Sequence, residues 1–323
     1  MGLAAAHRII RVLGILALLI SGASAQPSRT DLRLGFQRSS TLTALLKETG
    51  ELERALAPLN LRISWHEFTS GLPLLEALNL GKLDFSADVA DTVPVFAQAA
   101  GARLVYVAEE APSPAAQAIL VPNNSSIRSL ADLRGKRIAV TKGAGSHYLL
   151  VVALNSVGLS FKNISPAYLT PADARAAFVG GAVDAWVAWD PFLSSAEQQS
   201  GARVVADGNG LANYKRYYLS TESFAKDPSD ILQIIFDKLG QTGTWVKQNP
   251  QPAADLLAKA WGIEAPVIIQ ANSHRSYKVN LVTAQGLSEQ QKIADVFLAE
   301  GVLPGKVNTG DVAIWHPQSE AAR

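Results

Sequence analysis

A chain of 323 residues, 48% hydrophobic and 18% charged, is long enough for one large or two medium domains around a real core. Its 29 Lys+Arg against 28 Asp+Glu leave a formal charge of +1, which excludes the basic excess of a typical nucleic-acid binder. The absence of cysteine excludes disulfides, thiolate metal sites, a cysteine nucleophile and a lipid-modified N-terminal cysteine.

Residues 1–25 read as a secretion signal. His7, Arg8 and Arg11 precede an apolar run over 12–20, shorter than the roughly 20 residues a membrane-spanning helix needs. Ala23-Ser-Ala25 then offers a cleavage site before Gln26. An uncleaved anchor is the competing reading. Cleavage removes Arg8 and Arg11 and takes the formal charge from +1 to about −1.

Beyond it, Leu32-Arg-Leu-Gly-Phe36 alternates as a short strand and runs through the polar loop Gln37-Arg-Ser-Ser-Thr41 into one predicted helix over 42–56. Ala77-Leu-Asn-Leu-Gly-Lys-Leu-Asp84 reads as a helix ending at Gly81 and a strand opening at Asp84. The Pro-containing stretch from Ala108 to Pro114 is a predicted crossover into the apolar run 118–121. The pattern then repeats. Lys136-Arg-Ile-Ala-Val140 is a strand, residues 141–147 a small polar loop, and 148–157 a helix. Residues 177–185 answer residues 77–85, with Gly181 for Gly81 and Asp184 for Asp84. Two pairs of matches in the same order point to an α/β lobe used twice.

Thr170 and Asp173 are spaced as a capping box, and so are Ser288 and Gln291. Asp190-Pro191 reads as an N-cap followed by Pro at the first helical position. Residues 217–220 are a candidate return strand. Residues 230–246, 251–261 and 288–300 have helical periodicity, the first two packing back on the first lobe.

Parallel α/β sheets bind ligands at the carboxyl ends of their strands, where helix starts offer unpaired N–H groups and partial positive charge. The loops there suit an anion: Gln37, Ser39, Ser40 and Thr41 from one lobe, and Lys142, Gly143, Gly145, Ser146 and His147 from the other. Three or four charge-assisted hydrogen bonds, each worth roughly 1.5–3 kcal/mol, match a micromolar affinity of about −8 kcal/mol. A Ser/Gly loop is also an ordinary turn with a cap; the duplication is what favours a site. Trp189 is a candidate wall for a ligand's organic part. Asp88 and Asp91 suit loop amides or a ligand ammonium, since a carboxylate repels an anion. His147 has no ligand spacing with the other histidines, so no metal is expected. A Ser-His-Asp set and a phosphate-binding G-x-x-x-x-G-K motif are both missing, so no catalytic residue or cofactor is expected either.

Several phrases resemble the periplasmic aliphatic sulfonate-binding proteins. They are residues 77–84, Pro94-Val-Phe-Ala-Gln-Ala-Ala-Gly101, Leu130-Ala-Asp-Leu-Arg-Gly-Lys136, the loop 142–147, and the blocks 168–178 and 183–191; His274-Arg275 also fits. The resemblance runs from about Leu32 to His316. It implies an α/β, two-lobed periplasmic-binding-protein fold of type II, hinged around a ligand cleft. Residues 26–116 and 217–323 would form lobe 1, and residues 117–216 lobe 2. It further implies a monomeric periplasmic receptor that takes up a sulfonate and delivers it to the membrane permease of an ABC importer. The cleft residues expected to bind it are Gln37, Ser40, Thr41, Asp91, Thr92, Lys142, Gly143, Ser146, His147 and Trp189. One loop departs from the family: Val89-Ala-Asp-Thr-Val-Pro94 stands where a shorter Gly-Asp-x-Pro-Pro phrase is usual. Taurine, nitrate-like anions or another small sulfur compound remain alternative ligands, and an enzyme on the same lobes is the other class. Those enzyme relatives rely on cysteine motifs, and this chain has no cysteine. Whether Arg38, Lys142 or neither neutralises the head group stays open.

Overall fold

The computed structural model describes residues 30–227 and 230–317; the secretion signal expected over 1–25 lies outside the described residues. The chain opens with β1 (Asp31–Gln37), α1 (Thr41–Thr49) and α2 (Glu51–Leu56). The single helix expected over 42–56 is therefore two. Gly50 between them takes a left-handed φ of 67°, which closes α1 and restarts the helix in a new direction. Next come β2 (Arg62–Phe68), α3 (Gly71–Asn79), β3 (Phe85–Ala90), α4 (Thr92–Ala99) and β4 (Leu104–Glu110).

After the predicted crossover the chain enters β5 (Gln117–Val121), β6 (Arg137–Val140) and α5 (Gly145–Ser156). Then follow β7 (Ser165–Tyr168), α6 (Pro171–Val179), β8 (Ala185–Trp189), α7 (Phe192–Ser200) and β9 (Arg203–Asp207). It returns through β10 (Arg216–Thr221), the strand expected over 217–220, and the short α8 (Glu222–Ala225). The C-terminal part holds α9 (Ile231–Gln248), α10 (Pro250–Trp261), α11 (Ala265–His274), β11 (Val279–Asn280), α12 (Ser288–Ala299) and β12 (Ala313–Ile314).

Two sheets result, and they share one plan. The first runs β2-β1-β3-β10-β4, with β11 and β12 both added on β4; the second runs β7-β6-β8-β5-β9. In each, three parallel strands are followed by one antiparallel strand that arrives from the other lobe: β10 in the first, β5 in the second. This is the two-lobed α/β architecture of the type II binding proteins. The chain crosses between lobes twice, after β4 and after β9.

The duplicated Gly and Asp have a common physical task. Asp84 accepts the Arg33 backbone N–H at 2.9 Å and Asp184 accepts the Arg137 N–H at 2.7 Å. Each carboxylate thus pins the central parallel strand of its lobe, β1 or β6, to the strand that follows the Gly turn. The strands β5 and β8 are buried along their whole length, which accounts for their apolar sequence, unbroken but for Gln117 at the start of β5.

Each lobe has its own core on both faces of its sheet. In lobe 1, Leu32, Leu34 and Phe36 pack with Leu42, Leu45 and α9–α10, as the C-terminal periodicity predicts. Helix α12 belongs to neither lobe alone. Its Phe297 is fully buried between Phe96 of α4 and His147 and Tyr148 of α5, with ring centroids 5.2–5.8 Å apart.

Three cap assignments can be compared. Thr170 caps α6, accepting the Asp173 N–H at 3.3 Å, as expected. Asp190 stands one residue earlier than expected, because α7 begins at Phe192; its carboxylate still accepts the Ser194 N–H at 3.1 Å. The box expected at Ser288 and Gln291 does not form. Ser288 is already the first helical residue, and the Gln291 amide reaches Asp295 and the backbone of Val307 and Thr309 instead.

Candidate functional site

Where the carboxyl ends of the two sheets face each other, a small, partly open cavity lies between the lobes. Lobe 1 contributes Gln37 at the end of β1, Gly71 at the start of α3, and Ala90 and Val93. Lobe 2 contributes Ala144 and Gly145 at the start of α5, and Trp189 at the end of β8. Tyr214 and Arg216, from the second crossover and β10, complete the wall. Larger hollows lie elsewhere, one beside α8, α9 and β12, away from the strand ends that face between the lobes.

Arg216 is the cation of this cavity. Its side chain is 2% exposed, with Nε 2.6 Å from Asp88 Oδ2. One terminal nitrogen, Nη2, donates to Ser39 Oγ at 3.2 Å and to the Asp88 carbonyl at 3.1 Å. The other, Nη1, reaches only the Tyr214 hydroxyl among the described residues, at 3.5 Å, so a further N–H can serve a ligand. Behind it sits a second buried guanidinium, Arg275, bonded to the Ser39 carbonyl at 2.8 Å, to Asp88 at 3.1 Å and to Glu110. Two cations and two carboxylates, all buried, balance one another. Burial pushes the Asp88 carboxyl up from its ordinary value, and the two arginines oppose that push.

Two helix starts converge on the space. The first N–H groups of α5, from Gly145 and Ser146, and those of α3 have no intrahelical partner, and both ends carry partial positive charge. On the lobe 1 side the helix start is that of α3, where the sequence pointed to α1. The β1–α1 loop is instead closed on itself: Ser40 Oγ accepts the Gln37 N–H at 3.2 Å, and Thr41 Oγ1 accepts the Tyr277 hydroxyl at 2.9 Å.

The remaining sequence candidates take varied places. Gln37 walls the cavity while donating to the Asp88 carbonyl at 3.1 Å. Asp91 accepts the Lys215 N–H at 3.1 Å, and burial pushes its carboxyl up to about 7. Thr92 Oγ1 donates across the cleft to the Gly143 carbonyl at 2.7 Å, a direct bond between lobes. The Gly143 N–H, expected to face an anion, donates to His147 Nδ1 at 3.2 Å. His147 is fully buried against Phe161, Tyr168 and Phe297, and burial brings it down to about 4, so it is neutral. Lys142 is exposed and off the cavity wall; Arg38, 48% exposed, lies 3.9 Å from Glu67. Neither of these basic residues faces the cavity. Ser146 is not on the cavity wall but adjoins the wall residue Gly145; its Oγ is buried on the first turn of α5 with no hydrogen-bond partner among the described residues.

The profile of the family described as NMT1/THI5 like matches residues 61–253. The chain belongs to this family. Within it, the sulfonate-binding resemblance of the sequence is also borne out. A curated relative in Escherichia coli (strain K12), named for aliphatic sulfonates binding, is 40% identical over 94% of each chain. Two solved structures match over about nine-tenths of this chain. One is the alkanesulfonate-binding protein SsuA from Xanthomonas axonopodis pv. citri bound to MOPS. It is 38% identical with a TM-score of 0.84, over 90% of this chain and 100% of that one. The other is the periplasmic aliphatic sulphonate binding protein SsuA from Escherichia coli, 41% identical with a TM-score of 0.81, over 89% and 98%.

Sequence reasoning missed most of the wall, Tyr214, Arg216 and Gly71 among it. Arg216 heads the apolar run of β10, and a charge at the mouth of a buried strand is the signal that could have found it. Gly71 follows Ser70 at a helix start, a pattern common to many plain turns.

Proposed function

We propose that this protein is a periplasmic solute-binding protein that captures aliphatic sulfonates between its lobes and delivers them to the permease of an ABC importer. The observation that carries the reading is the Arg216 guanidinium set beside two helix starts in a small cavity walled by both lobes. A sulfonate head has three oxygens and one charge, which suits one Arg N–H, the Gly145 and Ser146 amides and the Ser146 hydroxyl. Gln37 borders the same space, and Trp189 with Val93 offers apolar surface to the carbon chain. Thr92 would act by closing the lobes rather than by touching ligand. Binding to one lobe and closure of the other then follow from contacts that exist only in the closed form.

Two observations favour plain alkanesulfonates over taurine. Asp88 is held by two arginines and Asp91 by the Lys215 amide, so neither carboxylate is presented to a ligand ammonium. The sulfonate relatives are binding proteins, and the lack of cysteine separates this chain from cysteine-dependent enzymes on related lobes. The signal-like residues 1–25 support export to the periplasm.

Calorimetry of the protein against ethanesulfonate, butanesulfonate, taurine, sulfate and nitrate tests the reading. Micromolar binding of the alkanesulfonates, stronger than that of taurine, is expected. No heat and no thermal shift with any sulfonate would sink this ligand class.

Ser146→Ala gives a finer check on the head group. The hydroxyl has no partner among the described residues, so thermal stability without ligand should stay level or rise slightly. Affinity should fall about tenfold, the low end of the range for one hydrogen bond to a charged group. An unchanged affinity would place the head group elsewhere.

A further inference from the structure

The lobes are tied at a second place, behind the cavity. His274 ends α11, which packs with the lobe 1 helices, and its Nδ1 lies 2.7 Å from Oδ2 of Asp190, which follows β8 in lobe 2. The other oxygen of Asp190 accepts the Ser194 N–H at 3.1 Å and its hydroxyl at 2.6 Å. Polar contacts extend the seam. Gln270 donates to Glu197 at 2.7 Å, and Gln198 donates to Gln270 at 2.6 Å. Asp190 is directly bonded to the cavity wall Trp189, and His274 to Arg275, which holds Asp88 and Glu110.

We infer that His274 is a positioning residue for ligand capture, acting through Asp190 as a proton-dependent clasp between the closing lobes. The inference rests on the sulfonate-capture reading and adds a control to it. The Asp190 side chain is 3% exposed and that of His274 is 24% exposed, so the pair is partly shielded while the imidazole still exchanges protons with solvent.

The groups bearing on His274 favour its charged form. Asp190 is foremost, with Glu197 of α7 and Asp207 at the end of β9 acting from further away, and together they raise it above the ordinary 6.5 against the effect of burial. The cations on its own side are engaged elsewhere: Arg275 by Asp88 and Glu110, and Lys247 by the carbonyls of Asn272 and Arg275. A histidine in separated lobes keeps its ordinary value. The clasp is therefore complete below about 6.5 and is lost as pH rises through the raised value.

The test is the affinity for ethanesulfonate, which stays ionised throughout, measured by calorimetry from pH 5.5 to 9 in wild type and His274→Gln. The wild type is expected to bind about two- to fivefold more tightly at pH 6, in line with one partly shielded ion pair. The two proteins should converge by pH 9. Asp91, which titrates near 7, is common to both and cancels from the ratio. A ratio that does not change with pH overturns the clasp, including the case where the variant is uniformly weaker. Failure of the capture reading looks different: the wild type then binds no sulfonate at any pH, and the clasp falls with it.

Discussion

Arg216→Gln is expected to weaken sulfonate binding by about 10- to 150-fold, the range for one hydrogen bond from a charged donor to a charged acceptor. It should also cost about 3–5 kcal/mol of folding stability, because Asp88 stays buried without its closer partner. These two losses separate in the double variant Arg216→Gln/Asp88→Asn. With Asp88 neutralised, Arg275 keeps its pairing to Glu110, so thermal unfolding should recover most of the stability. Calorimetry should show no recovery of binding. If the double variant binds as tightly as wild type, Arg216 does not face the ligand.

The second large effect is steric. A Cβ on Gly145 would stand 2.4 Å from the Tyr214 ring and 3.2 Å from the Ala90 side chain. Both neighbours lie across the cleft or on the crossover, and neither belongs to the core of lobe 2. Gly145→Val should therefore leave the unfolding temperature without ligand nearly unchanged while holding the lobes apart. An added cost of about 1.4 kcal/mol to the closed form is tenfold in affinity, so a loss of at least about tenfold is expected. Small-angle scattering with saturating sulfonate should give a larger radius of gyration than wild type. A variant that closes and binds normally would show that Gly145 is a packing convenience and no part of closure.

The sequence made the architecture legible because the fold is written twice. The matched phrases around Asp84 and Asp184 were enough to pair the lobes, and the bonds to Arg33 and Arg137 give that match its physical reason. Family phrases then supplied the class. The site was read less well, for reasons that are also physical. A loop composition cannot tell donors spent inside the protein from donors left for a ligand. Ser40, Thr41 and the Gly143 amide all have the right chemistry, and the first two sit in the right region. Their partners, however, come from Gln37, Tyr277 and His147, and one of these lies far along the chain. Arg216 escaped notice for the converse reason. Its importance comes from β10 being placed between β3 and β4, and the one local sign, a charge heading an apolar run, does not tell which strands will flank it. The single helix expected over 42–56 failed at Gly50, where apolar periodicity on both sides hid a left-handed turn.

The shared strand plan has a consequence for the order in which the chain can assemble. Lobe 2 is one continuous segment, β5 to β9, and every strand of its sheet is present once β9 has emerged. Lobe 1 is not so fortunate. Its strands β3 and β4 are joined only through β10, which is synthesised after the whole of lobe 2. Until then, both would present open edges, the kind of surface that recruits other chains. The later-starting lobe is thus the first that can finish, and the N-terminal half must wait, unsealed, for a strand made more than a hundred residues after its own beginning.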